Sequence, residues 1–92
     1  MVKDFELWAQ SRPTLPPGVE QTFFRNYGDT ALMELSGGDR TGRISVWESG
    51  AVELESQDVR AGKQTFYLSQ VYRTWQDAFP EVRAFLNSLK PR

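Results

Sequence analysis

Neither cysteine nor histidine occurs in the 92 residues of this chain. The first absence excludes disulfides, thiolate zinc sites and cysteine nucleophiles; the second excludes histidine triads and imidazole acid–base catalysis. No cofactor or metal site is expected. Long apolar runs are missing as well. Nothing approaches the roughly 18 apolar residues of a membrane span, and the opening MVKDFELWAQ carries Lys3, Asp4 and Glu6, which a signal peptide would not. These absences predict a soluble cytoplasmic protein without a membrane partner.

Basic residues are lacking from one segment in particular. Residues 1–43 hold five basic and six acidic side chains, and residues 60–92 hold six basic and two acidic. Between them, residues 44–59 contain Glu48, Glu53, Glu55 and Asp58 with no Lys or Arg. The net charge of −1 therefore hides an acidic centre. A direct nucleic-acid binder would show a basic footprint instead, and only the tail bearing Arg73, Arg83, Lys90 and Arg92 offers one.

What is present is apolar and aromatic: 39% hydrophobic residues, including three Trp, three Tyr and six Phe. That suffices for one core, and the length sets the expectation of a single domain over residues 1–92. Val2, Phe5, Trp8 and Ala9 recur at helical spacing and predict a short amphipathic helix over about residues 2–11, with Leu7 off its buried face. RPTLPPG then stops the helix, because Pro13, Pro16 and Pro17 cannot continue it and Gly18 suits a turn.

From Glu20 the pattern becomes five short β-rich runs, EQTFFRNY, TALMEL, GRISVWE, AVELES and KQTFYLSQ, separated by turn compositions. SGGDRTGR, at residues 36–43, is read as a flexible hairpin loop, since it lacks the lysine and the strand–loop–helix setting of a phosphate cradle. Phe23, Phe24, Tyr27, Phe66 and Tyr67 are assigned to core packing. In the tail, Val71, Trp75, Phe79, Val82, Phe85, Leu86 and Leu89 form one stripe, with Pro80 opening a second helix at its first turn or, less favourably, kinking one helix. The expected fold is α+β: an antiparallel sheet of about four to six strands, an N-terminal helix, and a C-terminal helical segment packed on one face.

The hairpin GRISVWESGAVELE can be placed in register. A three-residue loop, Glu48-Ser49-Gly50, with Gly50 left-handed, puts Ile44, Val46, Val52 and Leu54 on one face. Ser45, Trp47, Glu53 and Glu55 then share the other. That second face is either the plain solvent side of a half-covered sheet or an acidic platform for a basic protein, with Trp47 as anchor. Trp47 could equally pack beneath the N-terminal helix. Glu53 and Glu55, about 7 Å apart along a strand, have a spacing compatible with a carboxylate pair in a glycosidase, but no pocket or substrate-gripping set accompanies them. No enzyme is expected.

GRISVWESG, followed by FYLSQ and preceded by a helix ending in LWAQS, resembles the TriTu-type immunity proteins of bacterial contact-dependent growth inhibition systems. The resemblance implies a cytoplasmic protein that binds the C-terminal toxin domain of its cognate delivered protein and blocks it. Such toxins are often nucleases, which suits the acidic block. It also implies that Trp47 and Gly50, inside the motif, are scaffold, and that Glu53, Glu55 and Asp58 are better interface candidates. Read from the hairpin itself, with Trp47 as anchor, the expected partner-binding residues are Trp47, Glu48, Glu53, Glu55 and Asp58. The competing expectation is a non-catalytic adaptor for some other cellular protein.

Overall fold

The computed structural model describes residues 1–11 and 13–91; Arg12 and Arg92 lie outside them. Helix α1 spans Val2–Gln10, strands β1 to β5 span Val19–Asn26, Thr30–Gly37, Arg40–Trp47, Ala51–Asp58 and Lys63–Val71, and helix α2 spans Trp75–Ser88. The strands form one sheet in chain order, each antiparallel to the next. This α+β meander is the architecture expected from the strand spacing.

Alternation divides the sheet into two faces. Ala31, Met33 and Leu35 on β2, Ile44 and Val46 on β3, and Val52 and Leu54 on β4 are buried and form a single cluster with both helices. The helices meet the sheet through Phe5, Ala78, Val82, Phe85 and Leu89, all fully buried. Rings dominate the seam between α1 and α2: Phe5 lies 5.0 Å from Trp75 and 5.5 Å from Phe24, centroid to centroid, and Trp8 lies 5.8 Å from Phe79. Such pairs add to what area burial alone supplies. Leu7 stays exposed, as its position off the apolar face requires.

The register of the β3–β4 hairpin pairs Ile44 with Leu54 and Val46 with Val52. The connection is the three-residue loop Glu48-Ser49-Gly50, with Gly50 at φ +99° and its N–H donating to the Trp47 carbonyl over 2.9 Å. A two-residue turn would have carried Glu53 and Glu55 to the buried side.

Three expectations are corrected. Residues 36–43 are mostly strand, because β2 runs to Gly37 and β3 starts at Arg40, leaving only Gly38 and Asp39 in the turn. Gly42, read as loop, faces α2 from within β3: a Cβ there would come within 2.8 Å of both Phe85 Cζ and Leu89 Cδ1. Val71 does not join the helical stripe; it ends β5 and is 69% exposed.

The third correction concerns Pro80, which opens no second helix and sits inside α2. The helix starts earlier, at Trp75, because the Thr74 hydroxyl accepts from the Asp77 N–H over 3.1 Å and caps it. Proline in the second turn leaves the Gln76 carbonyl without its N–H partner, and both residues are exposed, so water can take the place of that bond. The ring contributes nothing to the core. Pro80→Ala is therefore expected to raise stability by about 2 kcal/mol, the interior-proline penalty less the entropy proline removes from the unfolded chain. Thermal unfolding measures it, and a lower Tm would show that the ring is needed.

Candidate functional site

Both helices cover the same side of the sheet, so the other side is bare, and its side chains follow from register. One row across the strands reads Phe23, Glu34, Arg43, Glu55 and Tyr67; the next reads Arg25, Leu32, Ser45, Glu53 and Ser69. A third holds Thr30 and Trp47, with Ala51 paired to Val71. Tyr27 follows at the end of β1, with the Arg25 guanidinium 5.1 Å above its ring.

This face gathers apolar surface. Of the six large hydrophobic residues left exposed among the described residues, Phe23, Tyr27, Tyr67 and Val71 belong to it, at 40 to 69% exposure, while Leu7 and Val59 lie elsewhere. Trp47 on the same face is half-buried and takes no part in the core cluster. It therefore does not pack beneath α1.

The charges on the face are unevenly engaged. Arg43 reaches Glu34 at 3.7 Å, a half-exposed pair contributing under about 1 kcal/mol. The Tyr67 hydroxyl donates to Glu53 Oε2 at 3.3 Å. Among the described residues Glu55 has no hydrogen bond or ion pair, although Arg43 and Tyr67 flank it in register. A shallow depression of about 410 Å³ lies here, bounded by Thr22, Glu34, Thr41, Arg43, Glu55 and Gln57. Its floor is the sheet and its mouth is open to solvent, so it has none of the enclosure that shields a reaction from water.

Of the five residues expected from the sequence, Trp47, Glu53 and Glu55 come together on this open face. Glu48 and Asp58 lie apart from them. Glu48 turns to the start of α1, where its carboxylate accepts from the Met1 amine and the Val2 N–H, both at 3.3 Å, and so meets the positive end of that helix. Asp58 is paired with Arg40, whose guanidinium donates to the Ser88 carbonyl on the helix side. Its own carboxylate accepts from the Ala61 N–H over 3.0 Å and closes the β4–β5 turn.

Phe23, Tyr27 and Tyr67, assigned to the core from sequence, are exposed members of the open face; Phe24 and Phe66 do pack on the core. The signal that separates them is alternation: Phe23 and Phe24 are neighbours on one strand, as are Phe66 and Tyr67, and neighbours point to opposite faces.

On the helix side, burial pushes the Tyr72 hydroxyl above its ordinary range, helped by the charge of Glu81. It stays protonated at neutral pH. Arg83 stands over the Phe79 ring at 5.1 Å on α2, on the helix side of the sheet. No group of three or more potential metal ligands occurs among the described residues. Among the described residues no helix is long and apolar enough to cross a membrane.

The family model described as Immunity protein TriTu matches residues 4–88, from α1 to the last residue of α2. No curated protein gives a significant match.

Proposed function

The chain belongs to the TriTu immunity protein family, and from that premise we propose that it binds and neutralises a cognate toxin domain through the open face of its sheet. Inhibition is stoichiometric occlusion, and the protein performs no chemistry of its own. The toxin is the C-terminal domain of a contact-dependent growth inhibition protein, met in the cytoplasm of the cell that makes both, and it is a basic nuclease. The observation that carries the choice of surface is that Phe23, Tyr27, Tyr67 and Val71, all exposed, share with Trp47 the face that neither helix covers.

The division of labour follows from the side chains. Tyr67, Phe23 and Trp47 supply large, stiff contact area at low entropic cost, the kind of residue that dominates interface energetics. Glu53 and Glu55 face lysine and arginine side chains that a nuclease otherwise uses to hold phosphate, and their long-range effect is on encounter rate. Glu48 and Asp58 act indirectly, holding α1 and the β4–β5 turn in place.

Co-expression with a candidate toxin domain, sought first in the neighbouring genes, tests the reading: a one-to-one complex and restored growth are expected. Failure of both would favour an adaptor for another cellular protein. Within the complex, the double variant Glu53→Gln/Glu55→Gln is expected to slow association roughly tenfold at low ionic strength and to flatten its salt dependence. Stopped-flow mixing at two salt concentrations measures both, and unchanged kinetics would take these carboxylates out of the interface.

A further inference from the structure

The two edges of the sheet are finished differently. On β1 the register breaks between Gln21 and Phe23, and Glu20 and Arg25 place charge along the strand. Bulges and charges are the usual means of keeping an edge from pairing. On β5 the register breaks only beside Thr65, and from Phe66 to Val71 it runs unbroken against β4. That run, FYLSQV, contains no charge, proline or glycine.

The direction of its backbone groups follows from one bond. The Tyr72 N–H donates to the Gly50 carbonyl over 2.9 Å, towards β4. Because N–H and C=O groups alternate in direction along a strand, Gln70 and Leu68 also turn theirs towards β4. Tyr67, Ser69 and Val71 turn theirs to the free edge, and the side chains of the same residues are exposed on the open face.

We propose that this edge is a homodimer interface, in which a second copy of the chain pairs antiparallel with β5 about a two-fold axis through Ser69. The axis sets Tyr67 against the partner's Val71 and Ser69 against the partner's Ser69. Every outward N–H and C=O of Tyr67, Ser69 and Val71 then meets an outward group of the other copy. Side chains keep to their own faces, so an aromatic and a β-branched residue are paired twice on the open side, a favoured cross-strand combination. An axis through Leu68 would instead set Val71 against the irregular Thr65.

Lack of charge is what suits the edge to a copy of itself. Under a two-fold axis each residue approaches its own counterpart, so an ionised side chain near the axis would repel itself; Phe66–Val71 has none. The two five-stranded sheets join edge to edge with their open faces on one side, and Tyr67 and Val71 gain cover while Trp47, Glu53 and Glu55 stay free.

The test uses the full chain without any toxin, so it stands apart from the neutralisation reading. Sedimentation equilibrium over a dilution series is expected to show a reversible dimer. Ser69→Lys, at an exposed position, is expected to weaken it by about tenfold or more while leaving circular dichroism, and the Tm measured at dilutions where the wild type is monomeric, unchanged. Gln21→Lys on the opposite edge is expected to leave it intact. Since the chain has no cysteine, Ser69→Cys can cross-link only between copies, and the roughly 5.5 Å Cα separation of a hydrogen-bonded antiparallel pair falls within disulfide reach. A monomer at every concentration would overturn the proposal. So would a dimer indifferent to Ser69→Lys, or one that Ser69→Cys fails to cross-link.

Discussion

Gly50→Ala is expected to destabilise the protein by about 3–4 kcal/mol, through two effects that add at one atom. The backbone at Gly50 has φ +99°, a region L side chains rarely adopt. A Cβ built there would also lie 2.3 Å from the Tyr72 carbonyl oxygen, which belongs to the backbone and cannot swing aside. Relief requires the segment after β5 to move, and that breaks the bond from the Tyr72 N–H to the Gly50 carbonyl. For a domain of this size the loss corresponds to a Tm lower by roughly 15–25 °C. Gly28 is the internal control: its φ is +101°, yet nothing lies within 4 Å of a Cβ placed on it. Gly28→Ala should therefore cost only the conformational part, about 1 kcal/mol. Equal losses at the two glycines would show that the clash with Tyr72 is relieved freely.

Much of this architecture could be read from local chemistry. The β3–β4 register was legible because one candidate turn mixed glutamate with the valines and the other separated them, and Gly50 fitted only the second. α1 was legible because Phe5, Trp8 and Ala9 keep helical spacing before a run of prolines. What failed was decided by tertiary contacts. Gly37 and Gly42 read as loop because glycine is rare in strands, yet here they clear space for Leu89 and Phe85 of a helix more than forty residues away in sequence. Pro80 reads as a helix start, but the Thr74 cap has already begun the helix. Alternation alone could have placed Phe23 and Tyr67 on the open face. Counting every aromatic residue towards the core overrode that signal.

The acidic block was legible as composition but not as one surface. Four acidic residues without a base suggest one platform, but Glu48 lies just past the end of β3, where the chain has begun to turn, and meets the first turn of α1. Asp58 closes a turn on the helix side. Only Glu53 and Glu55, two apart on one strand, are held to the same face by the period of the strand itself. Charge counted along a sequence becomes charge on a surface only after strand parity has sorted it.

Trp47→Ala is where the scaffold and interface roles of the GRISVWESG motif come apart. Resemblance places the tryptophan in the motif's framework alongside Gly50, and truncating a tryptophan that filled the core would cost about 3–5 kcal/mol. In the structure Ile44 and Val46 point into the core while Trp47, odd in the same strand, points away from it and stands in a row with Thr30, Ala51 and Val71. Its removal is therefore expected to cost about 1–2 kcal/mol of stability, less than a core tryptophan because part of the ring already meets water, and to weaken toxin binding by about 2 kcal/mol, roughly thirtyfold, as for an aromatic anchor. Thermal unfolding of the free protein and calorimetric titration with the toxin domain separate the two quantities. A large drop in Tm with toxin affinity preserved would return Trp47 to the scaffold and leave Tyr67 and Phe23 as the anchors. The expected pattern, a stable variant that binds poorly, would mean that one strand of the motif carries both roles at once, core on its even positions and recognition on its odd ones.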